Sequence, residues 1–280
     1  MTLKKTAKKI LLKTPTFFTV MHVLNFKLKH LQNFSKIDGK EKELLLEIKK
    51  NGFVVVPDFF DKELCNACIK DIDWMIENKK EYVQKTNDFR IFGAEDLSDN
   101  VMKFASDKLL NNLANHYNAA DTCNAFTLAA RIEASGDKYG SGGPWHRDSF
   151  FRQFKAMLYL NKVNENNGPF QLISNSHKLT PLLNDTRAAN LPFMESSFSQ
   201  EMIDKILRDD PTRMQTITGN PGTLILVDTA AIHHGTPLKS GVRYALTNYY
   251  FERKQINSHL VEHFSPLVSP EKVLRMGQNQ

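Results

Sequence analysis

The spacing of apolar residues changes near the middle of the chain, which divides it into a helical first part and a strand-rich second part. From Glu41 to Tyr117 most apolar residues recur at intervals of three and four, as on the buried face of an amphipathic helix. This spacing predicts helices from residue 41 to the turn at 51–52, at 61–79 and at 100–117. Runs of β-branched and aromatic residues predict strands at 53–56 and 89–93. Asp61 stands in the position of an N-cap for the second helix.

Beyond Cys123 the chain consists of short strand-like segments separated by Gly, Asn and Pro. Such segments are predicted at 126–132, 154–163, 168–173, 214–217, 223–228 and 242–251, with a single helix at 200–208 among them. Asn167-Gly168 is a typical hairpin sequence between two of them. Many short strands predict a sandwich or barrel, and the jelly roll is the version that brings distant strands together at one mouth. The predicted fold class is therefore mainly β with flanking α-helices.

The charge of the chain is basic but is concentrated near its start. The net charge is +6, from 37 basic and 31 acidic residues, and much of the excess is a lysine cluster within residues 4–13. The remainder is near neutral and lacks a basic patch interleaved with aromatic residues, so we expect no nucleic-acid partner. Three cysteines are too few for a disulfide framework and fit a reducing compartment, which favours the cytoplasm. Cys65 and Cys68 have redox-motif spacing, but small core residues of a helix are the more common role in such a position.

Residues 1–35 combine the lysine cluster with apolar positions between Ile10 and Phe26. Their uncharged part, 14–26, is too short to span a bilayer. It predicts either a helix packed on the domain or an interfacial helix with its lysines toward lipid headgroups, and hence weak peripheral membrane contact. We therefore divide the chain into a basic amphipathic segment, 1–35, and a single domain, 36–280.

His146 and Asp148 stand two positions apart in a segment typical of extended chain. Residues i and i+2 of a strand face the same side, so this imidazole and carboxylate can reach one point while Arg147 faces away. The tandem His233-His234 offers a second imidazole from a distant strand, and only one of the two should ligate because consecutive strand side chains diverge. Two histidines and one carboxylate on one face of a metal leave adjacent positions open, the arrangement expected of non-haem Fe(II) oxygenases.

Four ordered motifs make this pattern more specific. They are GFVVVPDF at 52–59, WHRD at 145–148, NGPFQLISNSHK at 167–178 and PGTLILVD at 221–228, the last continuing to the tandem histidines and Arg243. In these motifs and their order, over about residues 40–253, the sequence resembles the phytanoyl-CoA dioxygenase family of Fe(II)- and 2-oxoglutarate-dependent oxygenases.

The resemblance implies a double-stranded β-helix, which is a jelly-roll form, with an N-terminal helical layer against one sheet. It implies that His146, Asp148 and His233 hold Fe(II), and the distance along the last motif favours His233 over His234. Arg243 would bind the distal carboxylate of 2-oxoglutarate, since a planar guanidinium pairs with a carboxylate through two hydrogen bonds.

Three further residues are candidates for contact with the cosubstrate. Arg131 is a charge in an apolar strand and needs a partner, either 2-oxoglutarate or Glu133. Tyr159 and Thr247, on the segments 154–163 and 242–251, would also contact 2-oxoglutarate. The strand face that Tyr159 shares with Lys155 has two interpretations, a polar pocket wall or an exposed surface.

The resemblance implies a reaction that consumes O2 and 2-oxoglutarate, releases succinate and CO2, and oxidises a small-molecule, acyl or sugar-type substrate. Relatives that halogenate carry a small residue in place of the carboxylate, so Asp148 indicates hydroxylation, or a desaturation or ring closure that begins with the same hydrogen removal. Two alternatives stay open: a jelly-roll metal enzyme with non-oxidative chemistry, such as a hydrolase or isomerase, and a metal-stabilised binding domain. Arg243, in its place after His233, favours the oxygenase.

Overall fold

Two antiparallel sheets form the centre of the molecule. The computed structural model describes residues 37–278 apart from 87, 135, 137, 138, 193, 194, 265 and 266, so the predictions for residues 1–35 lie outside the described residues. The sheets pack on each other through a shared apolar cluster, to which one sheet contributes Ile225 and Val227 and the other Phe170 and Leu172.

The strand connections are those of a jelly roll. In chain order the strands are β1 Phe53–Val56, β2 Val83–Lys85, β3 Asp88–Phe92, β4 Thr122–Glu133, β5 Trp145–His146, β6 Phe154–Tyr159, β7 Phe170–Ile173, β8 Ser197–Phe198, β9 Met214–Ile217, β10 Leu224–Asp228, β11 His233–Gly235 and β12 Val242–Glu252. One sheet has the order β1-β10-β6-β12-β4-β3-β2 and the other β8-β5-β11-β7-β9. Most neighbouring strands are distant in sequence, which confirms the predicted fold class.

Four helices cover one face of the larger sheet and confirm the predicted helical layer. They are α1 Gly39–Asn51, α2 Lys62–Asn78, α3 Asp99–Ala105 and α4 Lys108–Asn118. Their apolar sides form one buried cluster with Ala156, Leu158 and Leu246 of the sheet. Asp61 caps α2 as predicted, because its carboxylate accepts a hydrogen bond from the Leu64 amide at 2.7 Å.

The remaining helices lie later in the chain. They are α5 Leu179–Ala188, α6 Gln200–Leu207, α7 Ser258–Phe264 and α8 Pro270–Gly277. The last of these is held by a buried ion pair between Lys272 and Glu95, which lies in the turn after β3 and accepts a hydrogen bond from the Thr127 amide of β4 at 2.9 Å. No helix in the described ranges is long and apolar enough to cross a membrane.

Cys65 and Cys68 are fully buried in the cluster between α2 and the sheet. Burial raises the pKa of Cys65 to about 11 and that of Cys68 to about 12. Both thiols therefore stay protonated and unreactive near neutral pH. These observations support their interpretation as small core residues.

Three local predictions were wrong. The helix predicted over 100–117 is two helices, because Asp107 interrupts it and caps α4 by accepting a hydrogen bond from Leu110 N at 3.0 Å. Asn167-Gly168 does not form a hairpin, since the strands it joins, β6 and β7, lie in different sheets. Helix α5 was not expected, although its Pro181 falls in the first turn, where the missing amide hydrogen bond costs nothing.

Candidate active site

His146, Asp148 and His233 come together where β5 and β11 pair. The two histidines are directly opposite each other in the strand register, and Asp148 follows β5. Nε2 of His146 lies 3.5 Å from Oδ1 of Asp148, and Nε2 of His233 lies 3.6 Å from Oδ2. One donor atom from each residue lies within 4.8 Å of the other two. A single metal ion can bridge donors at this spacing, so the three residues form a metal-binding set.

Each of these histidines is held through the ring nitrogen that faces away from Asp148. Nδ1 of His146 lies 2.7 Å from the Pro144 carbonyl oxygen, and Nδ1 of His233 lies 2.9 Å from that of Ala231. A carbonyl only accepts hydrogen bonds, so Nδ1 carries the proton in the neutral rings and Nε2 presents its lone pair. Both imidazoles are therefore oriented in the tautomer that metal ligation requires.

His234 points to the opposite face of the smaller sheet. Its ring stacks on Trp145 at a centroid separation of 3.7 Å, and its Nε2 lies 2.9 Å from Oε1 of Gln171. Burial lowers the pKa of His234 to about 3, so this ring is neutral. The structure thus places one of the two histidines beside Asp148, as strand alternation predicts, and it is His233, as the distance along the last motif favours.

Asp148 also contacts a buried lysine. Nζ of Lys155 lies 2.8 Å from Oδ2 of Asp148 and 3.7 Å from the ring centroid of Tyr249. Burial acts to raise the pKa of Asp148, but the Lys155 ammonium foremost, together with His233 and His146, outweighs burial and holds that pKa well below its usual range. Burial acts to lower the pKa of Lys155, yet Asp148 outweighs it and the net shift is upward. The pair is therefore ionised.

These residues open into a cavity of about 260 Å³ between the two sheets. Arg243 lines this cavity and is only 6% exposed. Among the described residues, no group accepts a hydrogen bond from Nε or Nη1 of Arg243. Buried donors are normally satisfied, and a carboxylate that enters the cavity would satisfy these two. The site therefore presents an unmatched guanidinium to a metal-binding set.

Gly235 allows Arg243 to lie against β11. It is two residues beyond His233 and so faces the same side of the strand. A Cβ at this position would lie 3.2 Å from Nη2 of Arg243 and 2.7 Å from the carbonyl oxygen of Ser141. Two strand residues span roughly 7 Å. The guanidinium of Arg243 therefore lies beside β11, about 7 Å along the strand from His233.

Arg131 faces away from the cavity, which corrects its expected role. Its Nη1 lies 3.0 Å from Oδ1 of Asp73, and its Nη2 pairs with Glu133. Alternate residues of a strand face opposite sides, so Ala130 and Ile132 line the cavity and Arg131 does not. Of the two predicted partners, 2-oxoglutarate and Glu133, the structure supplies Glu133.

Thr247 and Tyr159 have different positions relative to the cavity. Thr247 lines it, as the prediction requires. Tyr159 is fully buried behind the wall, where its hydroxyl donates to the Ile217 carbonyl at 3.1 Å and accepts from the Phe170 amide at 2.9 Å. Tyr159 therefore joins the two sheets. The predicted direct contact between Tyr159 and the cosubstrate was wrong, because this side chain does not reach the cavity.

Sequence reasoning missed a polar cluster on the cavity wall. Arg90 lines the cavity, and its Nε lies 2.9 Å from both carboxylate oxygens of Asp88. The Ser141 hydroxyl donates to the same carboxylate at 2.5 Å. Asp88 and Arg90 are two positions apart at a predicted strand, so the rule that identified His146 and Asp148 could have found this pair as well.

The part of the chain that matches a family of known proteins includes the residues of this site. The family model described as Phytanoyl-CoA dioxygenase (PhyH) matches residues 48–244, more than half of the chain, and this range includes the metal-binding set and Arg243. The chain belongs to the phytanoyl-CoA dioxygenase family. This assigns it to a family of enzymes that act on small molecules. A search of curated proteins found no match for this family member.

Solved structures similar to this phytanoyl-CoA dioxygenase family member share its fold at low sequence identity. EctD from S. alaskensis, solved with 2-oxoglutarate and 5-hydroxyectoine, has a TM-score of 0.59 at 17% identity and covers 79% of this chain and 78% of that one. The epimerase SnoN from nogalamycin biosynthesis, solved with Fe3+, α-ketoglutarate and nogalamycin RO, has a TM-score of 0.58 at 14% identity and covers 76% and 84%. HygX from Streptomyces hygroscopicus, solved with nickel and 2-oxoglutarate, has a TM-score of 0.53 at 16% identity and covers 75% and 86%.

Proposed function

We propose that this protein is an Fe(II)- and 2-oxoglutarate-dependent dioxygenase that hydroxylates a small molecule. The observation that carries the proposal is the buried Arg243, which has unmatched donors and lines the same cavity as the metal-binding set. In this proposal His146, Asp148 and His233 hold iron, and Arg243 binds the distal carboxylate of 2-oxoglutarate. Thr247 lines the same wall and contacts the cosubstrate.

The donor set and the cavity fit these two groups. Two neutral imidazoles and one carboxylate are the ligand types of non-haem Fe(II) oxygenases, so His146, Asp148 and His233 would hold this ion. The guanidinium, roughly 7 Å along the strand from His233, is placed for the far end of a short diacid whose other end is at the metal. Iron with bound 2-oxoglutarate supplies the oxidising chemistry, in which O2 is consumed, succinate and CO2 are released, and a substrate hydrogen is removed.

The protein's own contribution is orientation and the exclusion of water. The carbonyl groups of Pro144 and Ala231 fix the two histidine rings, and Lys155 fixes the carboxylate of Asp148. The apolar side chains of the cavity wall, Met157 and Val227 among them, limit the access of water to the reacting atoms. Because Asp148 fills one ligand position, the proposal includes hydroxylation and excludes halogenation.

The first test uses the purified protein under nitrogen. Addition of Fe(II) and 2-oxoglutarate should produce a weak visible charge-transfer band, and later addition of O2 should release succinate at a slow basal rate. Lack of the band in folded, metal-loaded protein would contradict the proposal and would favour a non-oxidative metal enzyme or a binding domain.

The second test concerns the type of oxidation. Succinate release across a panel of metabolites identifies a substrate, and turnover under labelled O2 in the presence of chloride then classifies the product by mass spectrometry. One oxygen atom from O2 in the product is expected. A chlorinated product would contradict the role of Asp148. A product without added oxygen would instead indicate a ring closure or an epimerisation, the latter being the activity for which SnoN is named.

A further inference from the structure

The cavity has two ends, and each end carries a buried cation. Residues 243, 245, 247 and 249 of β12 share one face and line the cavity. Arg243 stands at the start of this row and Tyr249 at its end, roughly 20 Å along the strand. In the strand register Met157 is opposite Thr247 and Lys155 is opposite Tyr249. Lys155 therefore marks the end of the cavity remote from Arg243.

Lys155 has more hydrogen-bonding capacity than its observed contacts use. Its side chain is 7% exposed and lines the cavity. One contact goes to Asp148, at 2.8 Å, and another goes to the ring of Tyr249. An ammonium group carries three donors, so a further acceptor inside the cavity can bind to it.

The charges of the loaded site leave Lys155 uncompensated. Arg90 is matched by Asp88, with which it forms an ion pair. When a divalent ion and the dianion 2-oxoglutarate are bound, their charges cancel. The charges of Asp148 and Arg243 cancel as well, so the positive charge of Lys155 has no negative charge to balance it. Orientation of Asp148 needs only a neutral donor, whereas a cation beside a metal ligand repels the metal. A group that brings its own negative charge would relieve this imbalance.

We propose that the primary substrate carries an anionic group, a carboxylate or a phosphate ester, that binds Lys155 at the end of the cavity remote from Arg243. This inference rests on the proposed function, because it assigns the Arg243 end to 2-oxoglutarate. The apolar side chains between the two ends, among them Leu128, Met157 and Ala245, then contact the carbon skeleton of the substrate. The substrate anion lies close to the metal-binding set, since Lys155 contacts Asp148 directly.

The test uses small fluorinated probes with the full-length protein. The protein is loaded with Mn(II) and saturating 2-oxoglutarate, so that the Arg243 end is filled. Broadening of the 19F signal by the paramagnetic ion is then compared for trifluoroacetate and its neutral analogue trifluoroacetamide. We expect roughly tenfold greater broadening for the anion, the size of effect that a charged hydrogen bond provides. Methylphosphonate, followed by 31P, shows whether a phosphate-like group is preferred to a carboxylate.

Three variants separate the anion site from general effects. Lys155→Met should remove the preference for the anion, and Lys155→Arg should retain it. Lys162→Met, which removes an exposed lysine just after β6, should change nothing. Equal broadening by the acid and the amide in the wild type, or an unchanged preference in Lys155→Met, would overturn the inference.

The visible band with Fe(II) and 2-oxoglutarate is measured on the same variants. In the wild type, a normal band without anion preference overturns the anion site and leaves the proposed function standing. An absent band in the wild type overturns both. If Lys155→Met loses the band as well, that variant no longer tests the anion site. The anion site is then tested by the comparison of trifluoroacetate with trifluoroacetamide in the wild type and in Lys155→Arg.

Discussion

The two faces of the larger sheet use neighbouring residues of the same strands for opposite purposes. On β12, Leu246 is fully buried against the helical layer, whereas Thr247 lines the cavity. On β6, Ala156 is buried on the helix side, and Lys155 faces the metal-binding set. The helix side holds apolar contacts and paired polar groups, such as Asn248 with the Phe104 carbonyl oxygen, while the cavity side keeps the unmatched donors of Arg243. Stability and chemistry are therefore separated by a single step along a strand.

The largest effect should come from the metal-binding set. His233→Ala should abolish the Fe(II)–2-oxoglutarate band, because one of three ligands is lost. His234→Ala should keep the band while lowering the melting temperature, since that ring only stacks on Trp145 and contacts Gln171. The reverse result would mean that the register of β11 is shifted by one residue.

The next effect sharpens the comparison of the two faces. Leu246→Ala should lower the free energy of unfolding by about 2–5 kcal/mol, because it leaves a void in the buried cluster. Thr247→Val, the neighbouring change of similar volume, should alter stability little and weaken 2-oxoglutarate binding. Denaturant unfolding and titration of the visible band measure the two quantities on both variants. If both variants lose mainly stability, the division between the faces is wrong.

A smaller effect distinguishes two arginines of the same sheet. Arg243→Ala should weaken 2-oxoglutarate binding by at least about tenfold, since a hydrogen-bonded charge is worth roughly 1.5–3 kcal/mol. Arg131→Ala should leave that binding unchanged, because its partners are Asp73 and Glu133 outside the cavity. Titration of the band with 2-oxoglutarate gives both values. Equal weakening in the two variants would show that the effect is not specific to the cavity.

The smallest effect is a dependence of stability on pH. The folded-state pKa of His234 is lowered to about 3 by burial, from 6.5 in the unfolded chain. The unfolded state therefore binds more protons below pH 6.5, and stability falls as the pH decreases, by at most roughly 1.4 kcal/mol per pH unit. The melting temperature of His234→Phe, compared with that of the wild type, should fall less steeply between pH 6.5 and 5. Parallel curves would contradict this origin.

The strands and the ligand pair could be predicted because they depend on neighbours in the chain. Apolar spacing located the helices of the first layer, and Asp61 marked the start of α2. Strand alternation is a local property, so it placed His146 and Asp148 on one side and separated His233 from His234. The break at Asp107 escaped prediction although the spacing marks it, because five residues separate Phe104 from Leu109 where one helix face would repeat after three or four.

The two periodicities, the order of the motifs and the residue types that can hold a metal are all visible in the sequence. Which of these residues meet depends on the fold. A side chain's face follows from its strand, but its partner follows from which strands become neighbours. That choice left Arg243 without a partner in the described cavity. The packing of α2 on the sheet paired Arg131 with Asp73, and the turn between β5 and β6 brought Lys155 to Asp148. Burial and charge balance depend on contacts between segments that are distant in the chain. They therefore cannot be predicted from the spacing of residues within one strand.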